Sequence, residues 1–112
     1  MSDFINAVKA QLTSDAFSAD PDTTTIYTPS GSKDCVVLSV SLCNITANDV
    51  TVDIQLDAST DAHYVKSVTV PGGSTLEMMT GQKYVIKNGE TLRARASANT
   101  AIDLIMNGLE QA

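Results

Sequence analysis

Aromatic residues are nearly missing from this chain, which has no Trp, two Phe and three Tyr among 112 residues. Base stacking on single-stranded nucleic acid and sugar stacking both use aromatic faces, so such ligands find few anchors here. A core built without aromatics must be filled by Val, Leu, Ile, Met and Ala, which fits a thin sandwich. Basic charge is also scarce. Seven Lys and Arg stand against 13 Asp and Glu, for a net charge of −6. The basic footprint that neutralises phosphates is therefore absent, and no nucleic-acid partner is expected. Lys83, Lys87, Arg93 and Arg95 come nearest to a cluster and read as a solvated strand face.

Long apolar runs are missing too. Nothing approaches the roughly 20 apolar residues of a membrane span, and the N-terminus lacks the basic region and apolar stretch of a secretory signal. The expectation is a product with no membrane partner, made in the cytoplasm or present as a mature form. The two cysteines, Cys35 and Cys43, fall on one expected strand. Eight residues of strand separate them by roughly 26 Å, far beyond disulfide reach, so both are expected as free thiols in a reducing compartment.

Residues for chemistry are equally few. His63 is the one histidine, and a zinc site needs about four ligands at characteristic spacing. No Gly-x-Ser-x-Gly elbow supplies a nucleophile, so His63 reads as a surface residue. Pro71-Gly72-Gly73-Ser74 lacks the Lys and spacing of a phosphate loop and reads as a hairpin turn. Asp57-x-Ser59-x-Asp61 lacks the Gly and distal Glu of a calcium loop and reads as a solvated loop. No catalytic, cofactor-binding or metal-binding residue is assigned, and the chain is expected not to be an enzyme.

What the chain does have is alternation. Between residues 34 and 110 apolar and polar residues alternate in short runs broken by Gly, Pro and Asn, the pattern of strands with one wet face. In Cys35–Asn44, Val36, Leu38, Val40 and Leu42 share one face, and Val37, Ser39, Ser41 and Cys43 the other. Asp49–Asp57 turns Val50, Val52, Ile54 and Leu56 inward, and Asn44–Asn48 joins these two runs as a hairpin. Further strands are expected over His63–Val70, Ser74–Met79, Lys83–Ile86, Glu90–Ser97 and Ala101–Leu109. Leu92, Ala94 and Ala96 face in, with Arg93 and Arg95 out, and Ile102, Leu104 and Met106 share a face. Gly108 marks a bulge or a close backbone approach. With a short strand at Ile26 and Tyr27, this makes about eight strands, the signature of a sandwich or barrel.

The N-terminus reads differently. Ser2 is a candidate helix cap, and Phe4, Ile5, Val8 and Leu12 fall at helical spacing. Three turns are too short to be stable alone, so this face must dock, on its own β domain or on a neighbouring subunit. Residues 13–25 have linker composition. The expected division is an arm and linker over residues 1–25 and a β domain over 26–112. Apolar residues on the outward side of strands, Val37, Val65, Met78 and Ile105, are candidate contacts for a homo-oligomer.

Ile26-Tyr27-Thr28-Pro29-Ser30-Gly31-Ser32, then CVVLSVSLCNITANDVTVDIQL, together resemble a small β domain frequent in tailed-bacteriophage virion proteins. The later Pro71-Gly72-Gly73-Ser74 turn, the Lys87-Asn88-Gly89-Glu90-Thr91-Leu92 turn and the closing strand to Glu110 are similar to the same modules. The resemblance covers residues 26–110 and specifies a fold better than a role. It implies a mainly β, antiparallel sandwich of jelly-roll or Ig-like type, in a capsid decoration or cement protein or in a neck, tail or baseplate component. Such subunits are commonly trimeric or otherwise symmetric, contact the major capsid protein or neck and tail proteins, and are assembled into virions in the host bacterial cytoplasm. In that reading the helical arm docks on a neighbouring virion protein. A carbohydrate- or receptor-binding module, with loops Ala58–Ala62 and Gly81–Lys83 at one end, is the alternative.

Overall fold

The computed structural model describes residues 2–5, 7–15, 24–57, 62–77 and 84–111. Ten strands are described: β1 (Ser2–Phe4), β2 (Val8–Gln11), β3 (Thr25–Tyr27), β4 (Asp34–Asn44), β5 (Val50–Asp57), β6 (Ala62–Val70), β7 (Thr75–Glu77), β8 (Tyr84–Ile86), β9 (Thr91–Ala96) and β10 (Ile102–Gln111). They form two antiparallel sheets. In one, β10 and β4 lie at the centre. β1 and β2 pair end to end along the far edge of β10, and β8 and β7 end to end along the far edge of β4. The other sheet has the order β3-β9-β5-β6. Each sheet is four strands wide; the eight strands expected from the sequence are β3 to β10, and β1 and β2 are additional to them.

The interior between the sheets is aliphatic, as the scarcity of aromatics required. Val40 and Leu42 of β4 and Ile102, Leu104 and Met106 of β10 are fully buried. Val52 and Ile54 of β5 and Leu92, Ala94 and Ala96 of β9 belong to the same buried cluster. Each buried Val, Leu or Ile contributes about 1.5–3 kcal/mol relative to exposure.

The N-terminal residues form strands, and the expected helix is corrected. Val8, Lys9, Ala10, Gln11 and Leu12 alternate between inward and outward, and Leu12 reaches 1% exposure in the core. The edge of β10 presents unpaired backbone groups, and the segment satisfies them. Beyond the strand pairs, Ile5 donates its N–H to Gly108 O at 3.1 Å and Leu12 to Ile102 O at 2.9 Å. A three-turn helix offers no such support from outside itself. Residues 2–5 and 7–15 thus belong to the sandwich.

A bulge corrects the first half of β4. Ser39 pairs with Asn107 and Val37 with Gly108, which leaves Leu38 unpaired. One extra residue reverses the facing of everything before it. Cys35 and Val37 therefore point into the core, while Val36 points out. Val40 and Leu42 keep the expected inward side. Gly108 lies at this bulge because two chains crowd there. A side chain on it would meet Cys35 Sγ at 2.8 Å and Val36 O at 2.9 Å.

The expected hairpins are also corrected. Asn44–Asn48 joins β4 to β5, which lie in different sheets, and Pro71–Ser74 joins β6 to β7 in the same crossing manner. Both are arches over the edge of the core. Asn44 holds the first one. Its buried amide donates to Asn48 O at 2.8 Å and Val70 O at 2.9 Å, and its Oδ1 accepts from Thr46 N and Oγ1.

Candidate interaction surfaces

Two Arg–Asp pairs span the outward side of the β9–β5 strands. Arg93 pairs with Asp57 and donates to Thr25 Oγ1 at 2.6 Å. Arg95 pairs with Asp53 at 3.0 Å and donates to the carbonyls of Asp15 and Ser14, each at 3.0 Å. Ser14 N donates in turn to Asn99 Oδ1 at 2.9 Å. Asp53 also accepts from Ser67 N at 2.6 Å, where β6 turns through a positive φ of 55°. The four charged side chains are 17–28% exposed, so the expected solvated face is a cross-strand network of charge-assisted hydrogen bonds. Arg95 also ties down the chain leaving β2.

The outward side of the β4–β10 sheet is different. From Ile105 to Leu109 on β10 and from Val36 to Ser41 on β4, no outward residue carries a charge. One register row runs Lys9, Ile105, Ser41, Glu77 across the four strands. A second runs Leu109, Val36, Val85. Between them Asn107 donates to Ser39 Oγ at 3.0 Å. Ile105 and Val85 are 42% and 44% exposed.

A third group joins the sheets. Glu110 of β10 is 8% exposed. It accepts from the Tyr27 hydroxyl of β3, from Ser30 N at 3.2 Å and from Ser30 Oγ at 3.1 Å. The bond from Tyr27 holds the Glu110 carboxyl below its usual range. Burial, with the bond to Glu110, pushes the Tyr27 phenol well above its ordinary value. Burial likewise raises the neighbouring Cys35 thiol. A protonated phenol, a protonated thiol and a fully hydrogen-bonded carboxylate make a latch between sheets, with no activated nucleophile in it.

The expected sites fall out unevenly. Leu12 is in the core and Ile5 and Val8 pack against it, so the expected docking face of the N-terminus is turned inward on its own domain. Phe4 lies in β1 opposite Leu109, and its side chain is outside the described atoms. Val37 is fully buried, which removes it as an oligomer contact. Val65 is half-buried against the core, Ile105 stands outward as expected, and Met78 lies outside the described residues. Both expected ligand-binding loops lie largely outside them too. Val36 was missed because the β4 bulge reverses the side it takes; Val85 and Leu109 join it only through the pairing of β8 and β10 with β4. Set against protein-family models, curated proteins and solved structures, the chain matches none.

Proposed function

We propose that this chain is a non-enzymatic structural subunit of a tailed-bacteriophage virion, first a capsid decoration or cement protein and second a neck, tail or baseplate component. The observation that carries the reading is the outward face of the β4–β10 sheet. An uncharged central surface with exposed Ile105 and Val85 suits burial against another subunit. The resemblance of residues 26–110 to virion β modules agrees with it.

Strand order supports the jelly-roll form over the Ig-like one. The order β1/β2-β10-β4-β7/β8 stacked on β3-β9-β5-β6 leaves β5–β6 as a hairpin within one sheet, while β3–β4, β4–β5, β6–β7, β8–β9 and β9–β10 cross between sheets. Eight positions wound in this way fit two interleaved Greek keys, an arrangement used by capsid proteins. The assembly contact in this reading is the sheet face, since the N-terminal apolar residues are occupied by their own core.

Particles banded on a density gradient from cells that encode this chain test the proposal. Quantitative mass spectrometry should find the chain in them at a fixed ratio to the major capsid or tail proteins. Its absence from the particles would sink the reading. An open groove of about 250 Å³ lined by Leu56, Ala62, His63 and Tyr64 supports the alternative of a carbohydrate- or receptor-binding module. Saturable binding on a glycan array, lost in Tyr64→Ala, would favour it.

A further inference from the structure

We infer that the partner of the β4–β10 face is a second copy of this chain, stacked face to face about a two-fold axis parallel to β4 and β10. The inference rests on the homo-oligomeric part of the reading above and assigns its surface and symmetry.

The argument starts from the row Lys9, Ile105, Ser41, Glu77. Its positive end is on β2 and its negative end on β7, three strand spacings or about 14 Å apart. All four side chains point outward. Lys9 alternates with inward Val8 and Ala10, Ile105 with Leu104 and Met106, Ser41 with Val40 and Leu42, and Glu77 with Leu76, which packs on the core. Neither Lys9 nor Glu77 has an ion-pair partner among the described residues, whereas Arg93 and Arg95 do; the carboxylate beside Lys9, Asp103 of β10, accepts from Gln11 Nε2 at 3.2 Å instead.

A two-fold axis between stacked faces, parallel to the strands, reverses the strand order of the second copy. Lys9 then lies over Glu77 of the second copy, and Glu77 over its Lys9. Ile105 lies over Ser41, and Leu109 over Val36. Stacked sheets sit about 10 Å apart, a gap that a Lys and a Glu side chain span together. An axis perpendicular to the strands that crosses this row sets Lys9 over Lys9 and Glu77 over Glu77, an arrangement that like charge opposes. Of the two axes that stack this row on itself, its charges select the one parallel to the strands. Four strands by the ten residues of β10 give a flat footprint of about 19 Å by 33 Å. That is about 600 Å², which side-chain relief raises toward the about 800 Å² per partner of a standard interface.

Charge reversal tests this directly. Sedimentation velocity should give twice the monomer mass for the native chain. Lys9→Glu and Glu77→Lys should each raise the dimer dissociation constant at least about tenfold, with far-UV circular dichroism unchanged and with Tm unchanged at concentrations where the native chain is also monomeric. An equimolar mixture of the two variants should dimerise again, because position 9 of each variant then faces a residue of opposite charge at position 77 of the other. The double variant K9E/E77K should dimerise by itself for the same reason. A trimer, a monomer at every concentration, or a mixture that fails to re-form dimers would overturn the inference. A chain that is monomeric in solution yet present in particles would leave the virion reading standing and remove this one.

Discussion

On one side of the sandwich Arg93 and Arg95 meet Asp57 and Asp53 within the chain, and on the other Lys9 and Glu77 stand at opposite edges with uncharged residues between them. Both sides arise from the same alternation of outward polar and inward apolar residues. The difference lies in where opposite charges fall across strands. In the β5–β9 sheet they fall on neighbouring strands, where cross-strand pairs satisfy each other. In the β4–β10 sheet Lys9 and Glu77 fall on strands that never touch, and Asp103, diagonal to Lys9 on the paired strand β10, accepts a hydrogen bond from Gln11 at 3.2 Å and forms no ion pair among the described residues. A closed face holds the fold together, and an open one has charges left to offer a partner.

The largest effect should come from the strand that carries Lys9. Leu12→Ala removes a 1%-exposed side chain that anchors the end of β2, and it should lower stability by about 2–5 kcal/mol. Urea unfolding measures this. A loss below about 1 kcal/mol would show that β2 is not seated on the core, and the Lys9 edge of the open face would dissolve with it.

Next comes the contrast itself. Arg95→Met deletes the pair with Asp53 and two bonds to the Ser14 and Asp15 carbonyls. It should destabilise the monomer by about 1–3 kcal/mol. Lys9→Met should change monomer stability by no more than about 0.5 kcal/mol and act on association instead. Equal effects of the two substitutions on thermal unfolding would erase the distinction between the faces.

The latch between the sheets gives a pH signature independent of both faces. Glu110 has a lowered folded pKa, so its contribution is complete above the unfolded carboxyl value near 4.3 and is lost as pH falls through the lower folded value. Tyr27 has a raised one. Its contribution is complete below about pH 10 and is lost as pH climbs from there toward the folded value. Tyr27→Phe should flatten the alkaline limb of a stability profile, make the acid limb shallower, and cost about 1–3 kcal/mol at neutral pH. An unchanged profile would mean that Glu110 takes its stabilisation from Ser30 alone.

Much of this architecture is legible in single strands and little of it in their assembly. Val50, Val52 and Ile54, Leu92, Ala94 and Ala96, and Ile102, Leu104 and Met106 take the sides that alternation assigns them. The bulge at Leu38 is invisible locally, because nothing in Val36-Val37-Leu38-Ser39 marks the extra residue. Its trace is Gly108, on the partner strand. Arches and hairpins use the same turn residues, so Asn44–Asn48 and Pro71–Ser74 could not reveal that their strands part company. At the N-terminus two periods coexist. Phe4, Ile5, Val8 and Leu12 fit a helix, and Val8, Ala10 and Leu12 fit a strand, and only the free edge of β10 decides between them. The Asp–Arg network needed the pairing of β5 with β9 before its members became neighbours.

The smallest expected effect is on the two thiols, which sit on opposite sides of β4. Cys35 is fully buried beside Gly108, while Cys43 is half-buried and points outward, next to Asp103 and Thr75 in the register of the open face. A thiolate-directed reagent at pH 8 should titrate one equivalent per native chain and the second only on unfolding. Cys43→Ser should abolish the native equivalent, and Cys35→Ser should leave it. If a second copy covers the open face, labelling of Cys43 should slow as protein concentration rises through the dimer dissociation constant, and it should stay fast in Lys9→Glu. Labelling that is fast and independent of concentration in a chain that sediments as a dimer would place the contact elsewhere, and the comparison between the two faces would then describe the fold without locating the partner.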